Sequence, residues 1–409
     1  ALKAIEDYQN EFRFHRPHEH RPAGRMARVT PLHGALAAEG ARFGTVNGWE
    51  RATFFPPERF VEEHEFHFTP TREIVAEEVA AVQTAVGIME VNGFNRVEVE
   101  GPGAGDWLAS LVAGRIPKRV GKVGLAYALT DRGNVAIEAT IAKLSEERFW
   151  WGSAAAAEDH DWDWLVERCP EGVSLRRLTE SHTILVVAGP NSRALLAAVA
   201  PRTDWSAQAF PWLSVREVRI GHWPAIAMSV SYSGELAWEL HLPNEALLGA
   251  YQRLRAEGER FGLRPFGLYA AESMRLEKGY RHWKADLITE FDPFESGLDR
   301  FVKLDHAFPG RAALEGRNLK RRAFVTLEIA CDTAPAHPGD SLFQGGEVVG
   351  TVTSAAWGHR VAKNLAMGFV DPAQAAEGTE MDIDLLGKRF GARVIAPCQY
   401  DPENARVRA

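Results

Sequence analysis

Cysteine is scarce in this chain. Cys169, Cys331 and Cys398 are the only three in 409 residues; they are widely spaced, odd in number and form no CxxC pair. That spacing excludes a disulfide framework and a zinc ribbon, and it predicts a reducing compartment, so a cytoplasmic protein is expected. Long apolar runs are missing as well. The longest, such as the "ILVVA" of Ile184 to Ala188, fall far short of the roughly 20 residues a spanning helix needs. The N-terminus lacks the basic-then-apolar order of a signal peptide. No association with a membrane is expected. Positive charge is in deficit, with 47 Lys and Arg against 55 Asp and Glu, a formal net charge of -8 and a pI near 6.0. General affinity for nucleic acid is thereby excluded, and any anionic ligand must meet a local basic patch. Neither a GxSxG elbow nor a cysteine beside an obvious base occurs, so nucleophilic catalysis lacks a candidate.

What is present is enough apolar residue, 45% of the chain with 25% charged, for two or three ordinary globular domains. Two passages share one grammar: "RVEVEGPGAGDWLASLVA" (Arg96 to Ala113) and "TILVVAGPNSRALLAAVA" (Thr183 to Ala200) each read as a β-branched strand, a Gly-Pro turn and an amphipathic helix. Pro102 and Pro190 suit the first turn of each helix. A strand, a turn and a second strand follow in both copies, "LAYALTDRGNVAIEATIAKL" and "AIAMSVSYSGELAWELHLP", and helices close them near Asp159 to Cys169 and Asn244 to Glu257. This is an internal repeat, and such units form antiparallel sheets with helices on one face. From Arg322 onward short alternating strands alternate with Gly-containing turns, the pattern of a small barrel or sandwich. The boundary before it is expected between Lys303 and Lys320. The opening 29 residues mix charges, histidines and prolines without a sustained period.

Two signals mislead. Gly101, Gly103 and Gly105 follow a strand, but their spacing and Pro102 depart from the dinucleotide fingerprint. His15, His18 and His20, and separately His64 and His67, have no recognised ligand spacing, and a polar linker and an exposed charge run explain them as well as a metal does. No metal is expected.

One strand stands out. In "NVAIEATIAKL" (Asn134 to Leu144) alternation places Val135, Ile137, Ala139 and Ile141 on one face, and Ala136, Glu138, Thr140 and Ala142 on the other. The first face is core. The second holds a single carboxylate among small side chains, which suggests a space in place of a packed layer. On its own, such a Glu is as readily a structural partner of an arginine. Tyr232 and Glu239 alone read as hairpin residues, and Arg275 and Glu277 as a structural pair on a helix.

Several stretches together resemble the aminomethyltransferase family, the T-protein of glycine cleavage and its relatives: "YSGELAWEL" (Tyr232 to Leu240), "PFGLYAAESMRLEKGYRHWKADL" (Pro265 to Leu287), "DPFESGLDRFVKLD" (Asp292 to Asp305), both Gly-Pro helices and "GGEVVGTVTS" in the tail. The resemblance runs from about Thr30 to Tyr400. "GYRHWKADL", "FGTVNGWERATFF" and "ALTDRGNVAIEAT" are closer to the folate-binding C-terminal halves of dimethylglycine and sarcosine dehydrogenases, in which an FAD-dependent amine dehydrogenase domain precedes this half. The resemblance implies an α+β fold, a three-domain ring of two related ferredoxin-like α/β units and a C-terminal small β-barrel around a central folate cavity. The implied division is residues 1–29 as a linker from an upstream domain, 30–91 with 176–305 as the first α/β domain, 92–175 as the second, and 306–409 as the barrel.

By the same resemblance Glu138 is the catalytic, folate-contacting carboxylate, with Thr140 beside it, Tyr232 packs on the folate, Glu239 hydrogen-bonds the pterin and Trp283 walls the cavity. Where many relatives carry an arginine for the folate glutamate tail, this sequence has Ala271, with Tyr269 nearby. The implied cofactor is tetrahydrofolate, polyglutamylated or not, with FAD confined to the upstream or a separate flavin domain; no flavin fingerprint lies within the chain. The implied reaction captures a one-carbon unit from an N-methyl amine of the dimethylglycine or sarcosine type as 5,10-methylenetetrahydrofolate. A flavin-independent folate-dependent demethylase and a non-catalytic folate-binding module are the rival readings.

Overall fold

The computed structural model describes residues 1–317 and 320–409; residues 318 and 319, inside the expected boundary interval, lie outside the described residues. The first Gly-Pro passage folds as strand Asn95–Glu100 and helix Ala104–Leu111, and the second as strand His182–Ala188 and helix Ser192–Val199. The helices begin two residues after Pro102 and Pro190, not on them. The cause is the preceding glycine. Gly101 and Gly189 take φ of 138° and 126°, and a Cβ at either would strike backbone carbonyl oxygens, so each proline sits within the turn that only glycine can open.

Each passage anchors one sheet. The first sheet has the strand order Lys122–Leu129, Val135–Lys143, Arg148–Ser153, Asn95–Glu100, Ser174–Arg177, antiparallel throughout. The second runs Val215–Ile220, Trp223–Met228, Ala237–Pro243, His182–Ala188, Val86–Val91, Leu263–Pro265. It is antiparallel except for its last pair. A separate hairpin, Arg42–Val46 and Trp49–Phe54, turns on Asn47 and Gly48, both at positive φ (49° and 77°), the tight Asn-Gly turn whose twist matches paired strands.

Helices cover one face of each sheet. Ile137, Ala139 and Ile141 pack with Leu108, Leu111 and Leu165, as alternation requires, but the register shift opposite Ala128 and Leu129 reverses the start of the strand: Val135, expected on this face, clusters with Tyr127 and Trp283, and Ala136 joins Ile137 in its place. Leu185, Leu240 and Leu242 pack with Leu195, Leu196, Leu247 and Leu254. On the other face of the second sheet, helices Thr71–Thr84 and Leu268–Glu277 pack against Val186, Ala188 and Ala237, and beside them that face meets the first sheet, where Ala142 and Trp150 cluster with Ile226 and Met228. The C-terminal strands, from Ala323–Ile329 to Lys388–Ile395, close into a six-stranded barrel.

Buried ion pairs tie the barrel to the sheets. Arg360, whose side chain is fully buried, lies 2.8 Å from Glu235 and pairs with Glu277. Arg406 and the Tyr400 hydroxyl, the latter at 2.8 Å, also reach Glu235. This corrects the pairing read for Arg275 and Glu277. Two residues apart, they leave helix Leu268–Glu277 on different sides, and Arg275 instead meets Glu272 at 2.7 Å and Asp286 at 2.6 Å. The opening segment holds a short amphipathic helix, Leu2–Gln9, which buries no residue and carries a Lys3–Asp7 pair at 2.7 Å.

Candidate functional site

The hairpin register sets Tyr127 directly opposite Glu138, and the phenol donates to Glu138 Oε1 at 2.7 Å. Glu138 and Thr140 are half-buried, while the residues flanking each of them are fully buried. The face with the lone carboxylate therefore opens on a hollow at Glu138 and Thr140 and becomes packed two residues further on, at Ala142. Burial pushes the Glu138 carboxyl up to about 7, against the opposing pull of the Tyr127 hydrogen bond and the Arg281 charge, with Asp286 adding to the rise. A buried carboxyl raised this far is half-protonated near neutral pH and can give or take a proton.

Arg281 is the nearby cation. Its guanidinium donates to the carbonyls of Ser296 at 2.7 Å and Gly297 at 3.2 Å, so it faces Glu138 electrostatically while held by backbone. Asp286 fixes the segment that carries it. Fully buried, Asp286 accepts from Arg275, from the His282 amide at 2.9 Å and from the Thr353 hydroxyl of the barrel. Trp283, in the same segment, packs against Tyr127 and Leu287 and is 8% exposed. Its indole N–H is buried with no hydrogen-bond partner among the described residues, an orphan donor beside the hollow.

Tyr232 is 40% exposed, yet protein surrounds it closely enough to push its phenol well above the usual value, with charge from Arg275, Glu272, Asp286 and Glu138 acting on it. Its hydroxyl is 3.4 Å from the Arg281 carbonyl and its ring lies 21° from parallel to Tyr280. Glu138, Thr140, Tyr232 and Trp283 thus share one neighbourhood. Glu239 comes from the other sheet: half-buried, opposite Met228 and Val186 in register, it has Oε2 3.2 Å from His241 Nε2, with buried Arg96 acting on it by charge. No direct contact joins it to Glu138 among the described residues. Tyr269 stacks on Phe54 at 5.5 Å and meets the His18 ring at 4.4 Å with a tilt of 51°.

Sequence reasoning missed Tyr127, Arg281 and Asp286. Counting back from the Asp131–Gly133 turn sets Ala126 opposite Glu138; a register shift between Ala128 and Leu129 brings Tyr127 there instead, and the other two depend on packing between distant segments. Chemically, the site offers two carboxylate acceptors from opposing sheets, an aromatic face and an unused indole donor. A flat, nitrogen-rich ligand with N–H donors on its edge suits that set.

The model of the GCVT N-terminal domain matches residues 32–306, and that of the glycine cleavage T-protein C-terminal barrel domain matches residues 322–401. The chain is 33% identical over 404 residues to mitochondrial dimethylglycine dehydrogenase of Mus musculus, covering 96% of this chain and 46% of that protein. It is 28% identical to mitochondrial sarcosine dehydrogenase of Homo sapiens, covering 99% and 50%. It spans about half the length of these relatives. With an aminomethyltransferase of Symbiobacterium thermophilum it shares 28% identity over 92% of this chain and 98% of that one. The solved glycine cleavage system aminomethyltransferase T from Bartonella henselae has the same fold, with a TM-score of 0.80 at 23% identity over 92% of this chain and 98% of that chain.

Proposed function

Because this chain belongs to the aminomethyltransferase (glycine cleavage T-protein) family, we propose that it binds tetrahydrofolate in the hollow between its sheets. There it captures a one-carbon unit from an N-methyl amine of the dimethylglycine or sarcosine type. Tetrahydrofolate, when bound, supplies the nucleophilic nitrogens that take the unit up as 5,10-methylenetetrahydrofolate. Glu138 exchanges a proton at the reacting end, a role supported by its lone position on the hollow and its rise to about 7. That is the observation that carries the reading. Tyr127 holds the Glu138 carboxylate in place, Thr140 lines the same wall, Tyr232 offers a ring face, Glu239 accepts from the heterocycle edge, and Trp283 walls the cavity with its free N–H. The hollow limits access of water to the captured carbon. Amine oxidation at FAD is assigned to a separate or upstream domain, in keeping with the greater length of the dehydrogenase relatives.

The test supplies the chain with tetrahydrofolate, dimethylglycine and a flavin-dependent dimethylglycine dehydrogenase domain, and measures 5,10-methylenetetrahydrofolate. Glu138→Gln is expected to bind tetrahydrofolate as tightly as the wild type while losing most of the product above background. Equal yield from the two proteins would reduce the chain to a folate-binding module. A flavin-independent methyl transfer is a second reading, supported by the near-complete overlap with an aminomethyltransferase of similar length. It requires product from methyl donor, folate and this chain alone.

A further inference from the structure

Beyond the packed contact of Ala142, Trp150, Ile226 and Met228 the sheets part again, and an open pocket of about 1230 Å³ extends around the Val215–Met228 hairpin. One wall is His241, only 5% exposed, and neither of its ring nitrogens has a hydrogen-bond partner among the described residues. Glu239 lies 3.2 Å from its Nε2 but out of alignment for a hydrogen bond. Leaving a buried polar group unpaired is costly, so a buried imidazole that faces a pocket without a partner points to a ligand. The charge of the lining points the same way. Arg148, Arg202, Arg219 and Arg253 line the pocket against a single acid, Glu217, in a chain whose net charge is -8. Arg148 is engaged by Glu98 at 2.8 Å and Glu217 at 3.2 Å, whereas Arg202 and Arg219 have no carboxylate partner among the described residues. Behind the wall, buried Arg96 donates to the His182 carbonyl at 3.3 Å and adds positive potential.

We propose that this pocket is a second ligand site, separate from the hollow at Glu138, and that it takes a small organic anion carrying phosphate or carboxylate groups. Arg202 and Arg219 meet the charge at the rim, and His241 donates from the floor. Burial and Arg96 hold both His182 and His241 down to about 4, so at neutral pH each is uncharged and presents one donor and one acceptor. Trp150 and Trp223 give the pocket flat walls. The lining includes neither Glu138 nor Tyr232, and the two sites approach each other at Glu239, 3.2 Å from His241; the proposal stands whether or not the hollow binds folate.

The test is calorimetric titration of the full chain with pyrophosphate and with citrate, using glycerol as the uncharged control, at low and at raised salt. One-to-one binding of at least one anion, weakened by salt, is expected; which of the two binds names the group recognised. The double variant Arg202→Ser/Arg219→Ser changes two exposed side chains and should weaken binding by about 10-fold or more, as loss of charge-assisted hydrogen bonds does, with an unchanged melting temperature. His241→Phe removes the unpartnered nitrogens without emptying the space and should weaken binding while the protein stays folded. Three results overturn the proposal: no heat with either anion, affinity retained in the double variant, or competition between the bound anion and tetrahydrofolate.

Discussion

Replacing Glu138 with Gln should stabilise the protein, and only at the pH where the carboxyl is charged. The folded chain raises this group from the usual 4.5 to about 7. At about 1.4 kcal/mol per pH unit, that gap makes the ionised form about 3 kcal/mol costlier in the folded than in the unfolded chain. The sign follows from which state holds the proton. As pH climbs past 4.5 the unfolded chain releases it first, so stability falls between pH 4.5 and 7 and levels off above. Gln has no proton to release, and it still accepts the Tyr127 hydrogen bond. The variant should therefore exceed the wild type by about 3 kcal/mol at pH 8 and by less than about 1 kcal/mol at pH 5. Urea unfolding of both proteins at both values reads this directly. Glu78 and Glu90, also pushed to about 7 by burial, make the wild type lose stability over the same range, but they cancel in the difference between the two proteins. An advantage that is equal at pH 5 and pH 8, or a variant weaker at pH 8, would refute the reasoning, because Glu138 would then be a solvated carboxylate.

Tyr127→Phe removes a hydrogen bond that holds the Glu138 carboxyl down; the limb of the pH–activity profile set by this group should move up by about one to two pH units, and an unmoved limb would assign it elsewhere. Arg360→Ala leaves Glu235 and Glu277 buried without their shared cation, so a loss of about 3–5 kcal/mol is expected in denaturant unfolding. A loss below 1 kcal/mol would mean that water reaches the pair. Tyr232→Ala should weaken tetrahydrofolate binding through loss of ring contact, while Tyr232→Phe should not, since its hydroxyl makes only a 3.4 Å contact.

Local pattern carried much of the architecture. The repeat was legible because each Gly-Pro turn joins a β-branched strand to an amphipathic helix, and the barrel because period-two strands end in glycine turns. Glu138 was legible for a related reason: in a strand whose other face is core, one carboxylate among Ala and Thr marks a face that is not packed. Asn47-Gly48 is a hairpin signal of the same local kind, although no hairpin was expected at Arg42–Phe54. Elsewhere the sequence is mute. Leu263–Pro265 is three residues long and becomes a strand only by lying parallel to Val86–Val91. Arg281 reaches Glu138 because Asp286 is clamped by Arg275 from a helix and Thr353 from the barrel, contacts that join segments 67 residues or more apart in the case of the barrel. The two-sided character of Glu239, next to His241 and Arg96, likewise depends on how two sheets face each other, which no single strand records.

The central claim is that the space between the sheets is a folate site closed by carboxylates from both sides. Calorimetric titration of the chain with tetrahydrofolate, repeated with Glu239→Ala, tests it most directly. Saturable one-to-one binding that falls by about 10-fold or more in the variant is the predicted result, the order expected when a bidentate charged acceptor is removed. Absence of binding by the wild-type chain would contradict the account.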